Sequence, residues 1–73
     1  MNKRKIESHN KTLDNNINIS IDIKESLEDY NKKKDLVHYS LYVNNDKVRG
    51  GYDYKSNAII IYLKAIHNYQ LIK

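Results

Sequence analysis

His38 and Asp53 are the residues best placed for acid–base chemistry, because a hairpin centred between them brings them opposite one another. A carboxylate beside an imidazole raises its pKa and orients the ring. With Tyr42 or Lys55 as a helper, such a pair suits a small RNA-cleaving site. No nucleophile motif, phosphate loop or second acid accompanies it, and a chain of 73 residues has little depth for a pocket. A cross-strand ion pair accounts for the two residues equally well. The chain is therefore read as a non-enzyme. No cofactor or metal is expected either. There is no Cys, and His9, His38 and His67 stand far apart with no ligand spacing among them.

A second constellation points to binding. Tyr42, Lys47, Arg49 and Lys55 interleave cations with an aromatic ring along the same hairpin. Single-stranded DNA or RNA is held in this way, with bases stacked on rings and phosphates neutralised by cations. The plainer account of Tyr42 and Arg49 is a cation–π pair. Lys outnumbers Arg 11 to 2, which counts against base readout, since Arg makes the bidentate contacts. The Lys3–Lys5 and Lys32–Lys34 runs read as a solubilising tail and a helix end.

A third set favours association with protein. The chain has seven Tyr and no Trp or Phe, and Tyr is enriched at interfaces. Ile60 and Leu71 point off the main apolar face of a C-terminal helix, beside His67. Tyr42, Arg49, Ile60, His67 and Leu71 are thus the candidate partner contacts. The leading expectation is a small module that regulates or inhibits a larger protein partner. The alternative is a basic domain for single-stranded nucleic acid. A homodimer through the C-terminal helix is a further expectation. Salt separates the two main classes, because phosphate binding falls steeply with salt and an apolar interface does not.

These residues must be positioned by short elements. Ile17-Asn18-Ile19-Ser20-Ile21-Asp22-Ile23 alternates strictly and predicts a half-buried strand. Asp22 and Glu25 have capping-box spacing, and Ile23, Leu27 and Tyr30 form a stripe, so a helix over about 23–34 is expected next. Residues 36–43 and 47–55 alternate around Asn44-Asn45-Asp46. A type I′ turn at Asn45-Asp46 pairs Val43 with Val48, Leu41 with Gly50, Tyr39 with Tyr52 and Val37 with Tyr54 on an apolar face. It pairs Tyr42 with Arg49 and His38 with Asp53 on the other. Gly50-Gly51 in mid-strand signals a bulge or a close backbone approach. Residues 57–73 fit a helix with Ile59, Tyr62, Leu63, Ile66 and Tyr69 inward; a third strand over 58–63 is the alternative.

The order is β-α-β-β-α. It implies a small two-layer α+β domain over residues 17–73, with a central antiparallel hairpin and the helices on one sheet face. Residues 1–16 lack periodicity and read as a polar flexible tail. Charge alternates along the chain, near +3 over 1–13, −4 over 14–30 and +5 over 31–73, for a net +4. The longest apolar run, Ala58–Leu63, is far short of the about 20 residues a membrane span needs. No apolar stretch follows the basic start, so a cytoplasmic location is expected. The Lys, Asn, Ile and Tyr bias is that of AT-rich coding sequence, common in phages, viruses and mobile elements.

Overall fold

In the computed structural model, which describes residues 5–25 and 36–71, four strands form one antiparallel meander. They are β1 (Lys5–Thr12), β2 (Asn18–Glu25), β3 (Leu36–Val43) and β4 (Asp46–Tyr54), in spatial order β1-β2-β3-β4. A single helix, α1 (Lys55–Gln70), follows β4 and packs on one sheet face.

The core lies between α1 and the two central strands. β2 contributes Ile19, Ile21 and Ile23, all fully buried, and β3 contributes Val37, Tyr39 and Leu41. The helix answers with Ala58, Tyr62 and Ala65. Their spacing of four and three residues keeps them on one face, and the two alanines allow close approach to the sheet. Leu13, in the five-residue β1–β2 loop, closes the core at one end. That loop is tied down by Asn15, whose amide donates to the Tyr69 carbonyl near the end of α1 (2.9 Å).

The expected β-α-β-β-α order is corrected to β-β-β-β-α among the described residues. The tail expectation fails for residues 5–12, which form edge strand β1 and pair with β2 from Lys5↔Lys24 to Thr12↔Asn18. Its core-side residues are Glu7, His9 and Lys11, so it carries no apolar alternation for a reader of the sequence to find. On the other face Asn18 pins it, donating to Asn10 Oδ1 (2.7 Å) and Thr12 Oγ1 (3.0 Å). With β1 in place, β2 is a central strand bonded on both sides. Ile23, Lys24 and Glu25 therefore extend the sheet rather than opening a helix, since the ladder satisfies their backbone groups. The remainder of the helix expected over 23–34 lies outside the described residues. The third strand considered for 58–63 is instead the interior of α1.

The β3–β4 hairpin forms, in a different register. The left-handed turn residues are Asn44 (φ 52°) and Asn45 (φ 73°), not Asn45 and Asp46. Two asparagines take this conformation readily. Asn44 is also anchored to β2: its N–H donates to the Asn18 carbonyl and its Oδ1 accepts from the Asn18 N–H, both at 2.9 Å. Val43 therefore faces Asp46, and Tyr42 faces Lys47. A bulge at Val48 adds one residue to β4, after which Leu41 faces Arg49, Tyr39 faces Gly51, His38 faces Tyr52 and Val37 faces Asp53. A one-residue slip sends every side chain of a strand to the other face. Val48, Tyr52 and Tyr54, expected in the core, are exposed.

The glycine pair serves this geometry. Gly51 has φ +146°, a conformation side-chain-bearing residues rarely adopt. At Gly50 a Cβ would lie 2.7 Å from Lys47 Cε and 3.1 Å from the Tyr39 carbonyl oxygen, so the lysine stem crosses the strand where the side chain is missing.

Three substitutions test the core and the register. Ile21→Ala should cost roughly 2–5 kcal/mol, as expected for emptying a closed core site. Gly51→Ala should be destabilising through its positive φ. Val48→Ala should change stability by no more than about 0.5 kcal/mol, as surface positions do. Urea unfolding followed by circular dichroism reads all three. A Val48→Ala cost matching that of Ile21→Ala would contradict the register.

Candidate functional site: the outward side of the helix

The register divides the residues singled out for binding between two sheet faces. Tyr42 and Lys47 lie opposite one another on the face away from α1. Arg49 lies opposite the buried Leu41, on the helix side. Lys55 opens α1, and its Nζ reaches Glu7 Oε1 at 2.7 Å. The four residues of the nucleic-acid set are thus not on one face, and the Tyr42–Arg49 pair does not form. The His38–Asp53 pair does not form either. The His38 ring meets Tyr52 edge-on at 5.0 Å. Asp53 accepts from the Tyr54 N–H (2.7 Å) and the Asn57 amide (3.0 Å), bracing the strand-to-helix junction. Those two bonds, with Arg49 nearby, hold its carboxyl below the ordinary Asp value.

A polar cluster stands at the β1 edge and joins Glu7 and His9, expected in a flexible tail, to Lys55 and Tyr62. Glu7 contacts Lys55 through Oε1 and His9 Nε2 through Oε2 (2.6 Å). The His9 ring lies 5.7 Å from that of Tyr62, whose phenol is pushed up by burial. Hydrogen bonds from Lys55 and His9 lower the Glu7 pKa. Glu7, His9 and Lys55 are all solvent-accessible, and the arrangement is that of a clasp between β1 and the start of α1. No group of three or more His, Cys, Asp or Glu able to hold a metal occurs among the described residues.

Three of the partner-contact candidates do come together. Ile60 and His67 occupy one row on the outward side of α1, seven residues apart, and Leu71 continues it just past the helix end. Leu63 flanks the row and Lys64 stands within it. Ile60, Leu63 and Leu71 are 47%, 55% and 68% exposed. A shallow depression of about 440 Å³ is lined by Ile60, Leu63, Lys64, His67 and Asn68.

Beside it runs a second hollow, of about 400 Å³, between α1 and β4. Its helix wall includes Ile60, Ile61, Lys64 and Asn68, and its sheet wall is Leu41, Val48 and Arg49. It exists because the core-side positions of β4 are Arg49, Gly51 and Asp53, none of which fills the space beside the helix. The two hollows share Ile60, Lys64 and Asn68 and so form one continuous surface. Arg49 joins Ile60 and His67 here; Tyr42 does not. Leu63, expected on the inner face of the helix, is exposed instead, and with Lys64 and Val48 it was not among the expected contacts. Leu63 and Lys64 could have been found from their positions three and four residues after Ile60, on the same helix side. Val48 could not, because its exposure depends on the bulge.

No protein-family model matches the chain, and no curated protein or solved structure is significantly similar to it. No helix among the described residues is long and apolar enough to cross a membrane.

The clasp has a defined pH response. Glu7 has a lower pKa folded than unfolded, so its contribution to stability is present above the unfolded pKa and fades as pH falls through the folded one. Denaturant midpoints should therefore decline on acidification through the carboxylate range, and Glu7→Gln should flatten part of that decline. Equal acid sensitivity in wild type and Glu7→Gln would show that the clasp contributes nothing.

Proposed function

We propose that the chain is a small protein-binding module, a regulator or inhibitor that docks on a larger partner through the outward side of α1 and the adjoining hollow. One observation carries the proposal. The helix has apolar side chains on opposite faces, and its own sheet covers only one of them: Ala58, Tyr62 and Ala65 are buried while Ile60, Leu63 and Leu71 stand in solvent. Leaving three large aliphatic side chains in one patch is costly for a monomer and is typical of a docking surface. The AT-rich residue bias supports a phage, viral or mobile-element factor acting on a host protein.

A photo-reactive phenylalanine analogue at position 63, and separately at position 8 on the opposite sheet face, tests the site. Adducts formed in a lysate of the producing cells should appear from position 63 and not from position 8. Unlabelled wild type should compete them away, and Ile60→Glu should compete at least about 10-fold less well, as expected for a hot-spot position. Tyr42→Ala should compete like wild type. Adducts confined to position 8, or equal competition by Ile60→Glu, would refute the assignment.

A further inference from the structure

We infer that the occupant of this surface is an acidic amphipathic helix. This assignment presupposes that α1 is the docking surface proposed above, and adds the chemistry of the partner.

The floor is apolar, formed by Leu41, Val48, Ile60, Ile61, Ala65 and Tyr69. The polar groups along it carry one sign of charge. Arg49 stands on the sheet side and Lys64 on the helix side, and His67 adds a cation when protonated; no carboxylate lines either hollow. A partner that fills the floor with aliphatic side chains must bring its own anions to these cations, because desolvating an unpaired Lys or Arg is costly. Among the described residues, Asp53 is engaged at the α1 junction and Glu7 in the clasp at the β1 edge.

The shape argues for a helix. The exposed row from Ile60 to Leu71 covers twelve residues, about 16 Å from end to end at the helical rise. That is about three turns of a partner helix, whose anchors at i, i+3 or i+4 and i+7 lie in a groove of this kind. An extended strand is the weaker fit. The neighbouring edge, β4, is broken by the bulge at Val48 and by the positive φ of Gly51, so it offers no regular ladder. A second copy is also disfavoured. Two-fold packing of this surface on itself brings Arg49 and Lys64 of both copies into one interface that no carboxylate lines. Nucleic acid would find cations but little to stack on, since the only rings lining the two hollows are the His67 imidazole and the half-buried Tyr69.

Two labelled synthetic peptides of 14 residues test the inference. They share one Leu/Ile face, and the flanking positions are all Glu in one and all Lys in the other. Anisotropy titrations with the full chain should show the Glu peptide binding at least about 10-fold tighter, the preference narrowing between about 50 and about 200 mM salt as screened charges require. In amide correlation spectra the shifts should centre on Ile60, Lys64 and Arg49. The double variant Arg49→Glu/Lys64→Glu, both at exposed sites, should reverse the preference.

Equal binding of both peptides, abolished by Leu63→Glu, would overturn the acidic assignment while leaving the docking surface standing. Binding of neither, or shifts confined to the opposite sheet face, would overturn the helical partner. The cross-link from position 63 then decides separately whether the docking surface survives. Concentration-dependent dimerisation lost in Leu63→Glu would overturn it in favour of a second copy. Tighter binding of oligo-dT than of the Glu peptide would overturn it in favour of nucleic acid.

Discussion

Three isoleucines hold this fold together. Ile19, Ile21 and Ile23 are the fully buried large side chains among the described residues, and each lies on β2 with a bonded strand on either side. At about 1.5–3 kcal/mol for each buried aliphatic side chain, this one row matters greatly to a domain of this size. The helix sits where it does because that row, with Val37, Tyr39 and Leu41, is the apolar ground the sheet provides. Everything further out is polar on the core side: Glu7, His9 and Lys11 on one edge strand, and Arg49, Gly51 and Asp53 on the other.

That narrow core explains what was legible. The alternation of residues 17–23 marked β2 correctly because β2 is the strand that needs one apolar face. The helix at the C-terminus was legible from its inner apolar face, with Ile60 and Leu71 left outward as a consequence. β1 was invisible because its place at the sheet's rim removes the need for apolar residues; it is held by the backbone ladder to β2 and by Asn18 at one end. Missing β1 also displaced the reading of β2, since a strand lacking one neighbour is easily curtailed by a capping signal such as Asp22 and Glu25.

The hairpin teaches a narrower lesson. Asn44-Asn45 and Asn45-Asp46 are both acceptable turn pairs by local chemistry, and the apolar alternation of the flanking residues points to the second. The tie is broken from outside the hairpin, by the paired bonds between Asn44 and Asn18. The bulge at Val48 then reassigns the whole outer half of β4. The candidate site followed the same rule. Ile60, His67 and Leu71 could be read from spacing, whereas Leu63 was read on the inner face, and the grouping of Arg49 with Ile60, and the separation of Tyr42 from both, required the register.

The meander order has a consequence for how the molecule is assembled. Each strand pairs with its neighbour in sequence, so the β1–β2 and β3–β4 pairings close loops of only five and two residues. Such contacts form early, because little chain entropy is lost in making them. The long closures are those of α1, which ties Lys55 back to Glu7 and Tyr69 back to Asn15, 54 residues away. Seating the helix therefore closes far longer stretches of chain than either of those hairpin pairings. The helix is also the element whose outer side is left uncovered. A molecule that grips that side favours the seated helix, so its binding and the completion of folding draw on the same equilibrium.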